Sequence, residues 1–165
     1  VEHCSVCPPP LLRRLRDVHA IIVTQPSFIY WSGERYLATV PEAQLRWLYC
    51  IGSFLRNGLR PAAGSDSPVV PINPLIGICA AVARKAETGE TLSQWESISP
   101  LEALEMYTRA AAYASFEEAK KGSISVGKLA DLVVLDADPT QVPAELIKDI
   151  RVKMTIIAGR VVWEA

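Results

Sequence analysis

The sequence predicts an α/β fold, a parallel sheet flanked by helices over residues 1–120, followed by a small β module over 121–165. Three observations carry this. Short β-branched apolar runs alternate with stretches whose apolar residues recur at helical spacing, the order expected of βαβ units. After Lys121 the period shortens to that of strands and stays short to the end. Of the 165 residues 50% are hydrophobic and 21% charged, enough apolar side chain for one packed core and the wrong composition for a disordered or fibrous chain.

The elements follow in order. Pro8-Pro9-Pro10 suits the first turn of a helix, and Leu11, Leu12, Leu15 and Val18 then recur at helical spacing, predicting a helix over 9–18. Residues 20–24 are continuously apolar and β-branched, as a strand covered on both faces must be, and Pro26 ends them. Phe28, Tyr30, Trp31 and Tyr36, with Gly33, show no clear period. They predict a long aromatic loop over 27–40, serving either as a pocket wall or as a patch packed on its own scaffold. Leu45, Leu48, Ile51, Gly52 and Leu55 line one face of a helix over 42–56, stopped by Asn57-Gly58. A short strand over 59–63 runs into Gly64-Ser65-Asp66-Ser67-Pro68, where glycine permits close backbone approach and proline holds Ser67 extended. A helix over 74–85 and a polar loop over 86–98 come next. Ser99, with Pro100 at the first helical position and Glu102 at the third, spells a capping box ahead of Leu101, Leu104, Tyr107 and Ala111. The β module opens with residues 122–127, strand-like in period. It continues with runs at 132–135 and 152–157, a turn at Ala158-Gly159, and a last run at 160–163.

Charge and composition narrow the function. Seventeen Lys and Arg against eighteen Asp and Glu leave a net charge of −1, so no basic field gathers nucleic acid or an anionic membrane. No apolar run approaches the roughly 20 residues of a membrane-spanning helix. Neither GxGxxG nor GxxxxGK[ST] occurs, which argues against a nucleotide-binding doubly wound domain. Cysteines at 4, 7, 50 and 79 are too few for a disulfide scaffold, so a reducing, cytoplasmic setting is expected. Cys4 and Cys7 form a lone CxxC: a redox pair, half of a zinc site, or two small apolar side chains at a strand-to-helix junction. Cys50 and Cys79 lie in apolar helical patterns and are expected in the core. The chain starts without Met in what reads as the end of a strand, predicting a piece of something longer.

In parallel α/β sheets chemistry collects beyond the C-terminal ends of the strands. His3, Gln25 and Asp66 fall at three such ends, and neighbouring parallel strands would set all three on one rim. His19 precedes a strand and is read as a structural or surface residue.

The ordered set Val1-Glu2-His3, Thr24-Gln25-Pro26, Ala63-Gly64-Ser65-Asp66-Ser67-Pro68 and Lys121-Gly122-Ser123-Ile124 through Val126-Gly127-Lys128-Leu129-Ala130-Asp131-Leu132-Val133-Val134-Leu135-Asp136 resembles the C-terminal part of the amidohydrolase superfamily. Within it, the chain is similar to the amidohydrolase family 3 branch that holds N-substituted formamide deformylases and predicted metal-dependent hydrolases, over essentially its whole length. The resemblance implies the C-terminal portion of a (β/α)8 TIM barrel, about strands six to eight, over 1–120, and strands of a small β-sandwich over 121–165. It implies that His3 is a metal-ligand histidine closing the sixth strand, that Gln25-Pro26 ends the seventh, and that Asp66 ends the eighth. The family's His-x-His pair on the first strand, and its lysine and further histidine on middle strands, have no counterpart here. A whole barrel takes ~250 residues, whereas residues 1–120 hold about three of its units. The missing N-terminal part of the same protein is therefore expected to complete the site.

On that resemblance the expected function is metal-dependent hydrolysis of carbon–nitrogen bonds in non-peptide amides, with a small amide-like substrate and a divalent ion, Zn²⁺ first, as cofactor. Zn²⁺ accepts imidazole nitrogen and carboxylate oxygen and lowers the pKa of water toward ~7. His3 and Asp66 would hold the ion, and Asp66 would take the water's proton and deliver it to the departing amine, first base and then acid. Other readings stand beside these: an Asx turn or helix cap for Asp66, and a satisfied strand-end histidine for His3. For the whole chain the alternative is an inactive fragment or a non-catalytic interaction module. Open apolar strand edges would then drive association into homo-oligomers.

Overall fold

The computed structural model describes residues 1–165. Three parallel segments lie side by side at its centre. Strand β1 (Val23–Thr24) pairs in parallel with β2 (Ala62–Ala63), Val23 opposite Ala62 and Thr24 opposite Ala63, and Glu2 forms a parallel bridge to Val23 on the other side. These ladders are shorter than the runs at 20–24 and 59–63 suggested. Pro61 and Pro26 bracket them and have no N–H to give a ladder.

Helix α1 (Pro9–Asp17) enters through its prolines and buries Leu12 and Leu15 against Cys7, Ile22, Cys50, Phe54 and Leu59. Arg14 and Arg16 fall in its last turn, where cations suit the negative end of the helix dipole. The aromatic segment is not a loop. It forms helix α2 (Ser27–Thr39), which buries Ile29 and Gly33. A Cβ at Gly33 would sit 2.7 Å from Ala86 Cβ and 2.9 Å from Leu92 Cδ1, so glycine is what lets the 86–92 segment lie against this helix.

The single helix expected over 42–56 is two, α3 (Glu42–Leu45) and α4 (Ile51–Arg56). Between them the backbone turns to meet residues 5–7. Tyr49 N–H donates to Ser5 C=O at 2.7 Å, Cys7 N–H to Trp47 C=O at 3.1 Å, and Leu48 bridges Val6. The carbonyls that would have continued the helix are taken by Arg84, whose wholly buried guanidinium donates to Tyr49 C=O at 2.9 Å and Leu48 C=O at 3.2 Å.

Helix α5 (Pro74–Ala83) is capped by the Asn73 side chain on Leu75 N–H and is apolar nearly all round, as its central position requires. It packs against α2 on one side and, through Ile78, Ala80 and Ala81, reaches the core shared with Ile98, Ala103 and Met106. The polar loop contains one 3₁₀ turn, Gln94–Glu96. Ser99 and Glu102 make the reciprocal capping box that opens α6 (Pro100–Tyr107), which breaks at Thr108 and resumes as α7 (Arg109–Ala114). Residues 122–127 are not a strand. Gly122 and Gly127 both have positive φ, and Lys128 Nζ donates to Ser123 Oγ at 2.8 Å across the turn they bracket.

The last elements form an antiparallel sheet in the order β3 (Leu132–Leu135), β4 (Val152–Ile157), β5 (Arg160–Glu164). Ala158 and Gly159 both take positive φ in the two-residue turn, and the Asp131 carboxylate holds Ala158 N–H at 2.8 Å. A 3₁₀ helix, Ala144–Asp149, sends Ile147, with Ile150 after it, into the core beneath α5. No helix is long and apolar enough to cross a membrane.

Candidate functional site

Parallel pairing decides what meets at the rim. Glu2, Val23 and Ala62 are neighbours in register, so the residues that follow them, His3, Gln25 and the 64–66 turn, leave the sheet at the same end. Of these, His3 and Gln25 touch. His3 Nδ1 lies 2.9 Å from Gln25 Oε1, the one side-chain bond either makes within the chain.

Each of the three residues sits in its own local geometry. Gln25 is buried between β1 and the start of α2, and its backbone C=O accepts from Phe28 N–H at 3.1 Å. The hydroxyls of Thr24 and Ser27 are buried on either side of it without a partner. His3 and Cys4 both take left-handed backbone, φ 62° and 49°, and Cys4 N–H donates to Glu2 C=O at 2.8 Å, a tight turn that ends the strand segment. Asp66 is also left-handed, φ 60°, a conformation aspartate tolerates better than most residues, and it is exposed. Its turn is held by Val69 N–H on Asp66 C=O and by Ser67 N–H on Ser65 Oγ, while the Asp66 carboxylate takes no bond from the chain. His19 is exposed, in the turn between α1 and the sheet.

The donor set fits part of a metal centre. Gln25 occupies Nδ1 of His3 and leaves Nε2 free, and Asp66 offers two unengaged oxygens. Nowhere does the chain gather three His, Cys, Asp or Glu side chains able to hold an ion. Cys4 and Cys7 follow His3 as free thiols, with Cys50 Sγ 3.6 Å from Cys7 C=O, and Cys50 and Cys79 are both buried as their apolar surroundings predicted. The largest cleft, about 870 Å³, lies elsewhere, between Leu37 at the end of α2, Leu45 and Arg46 beside α3, and Trp95.

Two buried charges have no motif that announces them. Glu96 accepts from Ser53 N–H at 2.6 Å and from Arg56 Nη2 at 3.4 Å, and Arg84 is satisfied by three carbonyls, the third being Leu92 C=O at 3.0 Å. For Arg84 the one sequence signal is a charged residue inside an apolar helical pattern, directly after Ala80-Ala81-Val82-Ala83.

Imidazole, amide and carboxylate thus lie beyond the same end of neighbouring parallel segments. The chain belongs to the amidohydrolase family, whose sequence model matches residues 1–163. It is 27% identical over 165 residues to the amidohydrolase YtcJ of Bacillus subtilis, covering 98% of this chain and 31% of that protein. It is 31% identical over 165 residues to the N-substituted formamide deformylase of Arthrobacter pascens, covering 99% of this chain and 30% of that enzyme. Among solved structures, an uncharacterized metal-dependent hydrolase from Pyrococcus horikoshii OT3 superposes with a TM-score of 0.76 at 26% identity, over 87% of this chain and 29% of that one. The chain thus spans less than a third of the length of these relatives.

Proposed function

We propose that these 165 residues are the C-terminal part of a metal-dependent hydrolase that cleaves carbon–nitrogen bonds in small, non-peptide amides. The observation that carries the reading is the rim: His3, Gln25 and Asp66 leave three neighbouring parallel segments at one end, in a chain matched by the amidohydrolase family model over residues 1–163. Residues 1–120 would supply about strands six to eight of a (β/α)8 barrel and residues 121–165 strands of a β-sandwich. The remaining metal ligands would come from the part of the protein that precedes Val1. The Pyrococcus relative is a metal-dependent hydrolase and the Arthrobacter enzyme a formamide deformylase, which supports the metal and the bond class respectively.

His3 Nε2 and the Asp66 carboxylate are the atoms of this chain that would hold the ion, Zn²⁺ by the chemistry of the donors. Such an ion supplies Lewis acidity that makes water a usable nucleophile near neutral pH. Asp66, unengaged and on an exposed turn, would accept the proton of the attacking water and return it to the departing amine nitrogen, so that an amine rather than an amide anion leaves. Four free thiols fit a reducing, cytoplasmic setting.

The test uses the full-length protein and a panel of N-acyl amines. Asp66→Asn keeps the shape and the left-handed turn but cannot accept a proton, so turnover is expected to fall by roughly 10²-fold or more with the thermal melt unchanged. His3→Ala is expected to lower bound zinc, read by elemental analysis, together with the rate. Hydrolysis within about tenfold of wild type for Asp66→Asn would remove it as the base. Full zinc occupancy in His3→Ala would remove the histidine as a ligand.

A further inference from the structure

We infer that Gln25 is a positioning residue that sets the tautomer of His3, placing the imidazole proton on Nδ1 and the lone pair on Nε2. The use of that lone pair for a metal rests on the function proposed above, whereas the tautomer itself does not. His3 Nδ1 lies 2.9 Å from Gln25 Oε1. An amide oxygen only accepts, so Nδ1 must donate, and a neutral imidazole has one proton to give. Neutral histidine in water prefers the opposite arrangement, with the proton on Nε2, so a specific partner is needed to reverse it.

The two side chains are unlike in burial, which gives the contact its direction. Gln25 is 3% exposed and fixed at both ends of its backbone, by β1 before it and by the first turn of α2 after it. His3 is exposed, on a left-handed turn, with no other side-chain bond. The buried residue, anchored on both sides, therefore orients the exposed one. An amide suits this task better than a carboxylate: it accepts the Nδ1 proton without adding a charge that would draw a second proton onto the ring. Metal-binding histidines in general have their far ring nitrogen held in this way, and loss of the holding group weakens metal binding.

His3 and His19 can each be read by long-range ¹H–¹⁵N correlation on the uniformly labelled, metal-free full-length protein at alkaline pH, each ring assigned by the signal that its own alanine variant loses. His3 is expected to show its unprotonated, pyridine-type nitrogen at Nε2, while exposed His19, whose ring has no bond within the chain, shows it mainly at Nδ1. Gln25→Leu should shift His3 to the His19 pattern. Gln25→Glu, which keeps the acceptor and the length, should leave the proton on Nδ1 once the pH is raised enough to remove the second proton its charge draws onto the ring, and the rest of the spectrum reports whether each variant is folded. A wild-type His3 protonated on Nε2, or a His3 unmoved by Gln25→Leu in a folded protein, would overturn the assignment. The wild-type spectrum decides even if the leucine variant does not fold. Retention of zinc by His3→Ala in the full-length protein would instead remove the ligand role and leave the tautomer result standing.

Discussion

Cys7 shows how burial alone gives a side chain a pH-dependent stake in the fold. The thiol sits under α1 with Cys50 beside it, and loss of water around it, together with the neighbouring Cys4, pushes its pKa from 9.0 to about 12. Burial moves Cys50, Tyr49 and Tyr107 in the same direction. Each is an acid whose neutral form the folded state prefers. Below the unfolded value of 9.0 folded and unfolded Cys7 are both protonated and stability is at its full level; from there to about 12 the unfolded thiol ionises first, and stability falls as pH rises. Chemical denaturation followed from pH 8 upward should therefore show a midpoint that drops through this range. Cys7→Ala should make the drop shallower, and an identical pH profile in that variant would show that Cys7 contributes nothing to it. The same raised values mark these thiols as poor nucleophiles, so of the readings open to the Cys4–Cys7 pair, packing is the one their surroundings favour.

Among the elements, helices meet where glycine lets them. Gly77 in α5 faces Tyr107 at the end of α6, and a Cβ there would come within 2.8 Å of the ring carbon Cζ and closer still to the hydroxyl. Gly77→Ala gains helix propensity, worth about 1 kcal/mol, but must displace a partly buried ring packed against the core, and such overpacking typically costs about 1–3 kcal/mol. A net loss is expected in urea denaturation. Tyr107→Phe removes the nearest atom, so the alanine substitution should cost less in that background; an equal cost in both would show that the ring is not the obstacle. Contacts of this kind explain which elements were legible. The capping box at Ser99 was readable because Ser99, Pro100 and Glu102 act on one another within a single turn. Helix α2 was not, because its aromatic residues are distributed between the α5 side, the Tyr36–Tyr49 hydroxyl contact and the surface, which blurs the period. The break between α3 and α4 was invisible for a different reason: it is made by residues 5–7 and by Arg84, far away in sequence.

At the scale of the molecule, apolar surface is distributed unevenly. Val133 on β3 and Val161, Val162 and Trp163 on β5 are about half exposed, and β5 is an unpaired sheet edge. Nothing in the chain covers them, and open apolar edges recruit other chains. Expressed alone, the protein is expected to associate in proportion to its concentration in light scattering, and Val161→Lys with Trp163→Lys should lessen this. It should also hydrolyse no amide, since two candidate ligands fall short of the three or four of a usual zinc site. A monodisperse monomer with a cooperative melt and zinc held below micromolar concentration would show that the 165 residues close a site of their own.

Read alone, the residues determined the α/β order, the strands of the C-terminal module from Leu132 onward, the starts of α1, α5 and α6, and the candidates His3, Gln25 and Asp66. Each of these is written in neighbours a few positions apart, through periodicity, proline and capping chemistry, or in motifs that a family shares. Only the tertiary structure decided that Glu2, Val23 and Ala62 lie side by side, that Gln25 rather than Asp66 reaches the His3 ring, and that Arg84 ends a helix inside the core by serving the distant carbonyls of Leu48 and Tyr49 as well as that of Leu92. Leu92 apart, these contacts join residues more than twenty positions apart. Local propensity does not encode such pairings; they follow from which strands run parallel and which buried polar groups must find partners once water is gone.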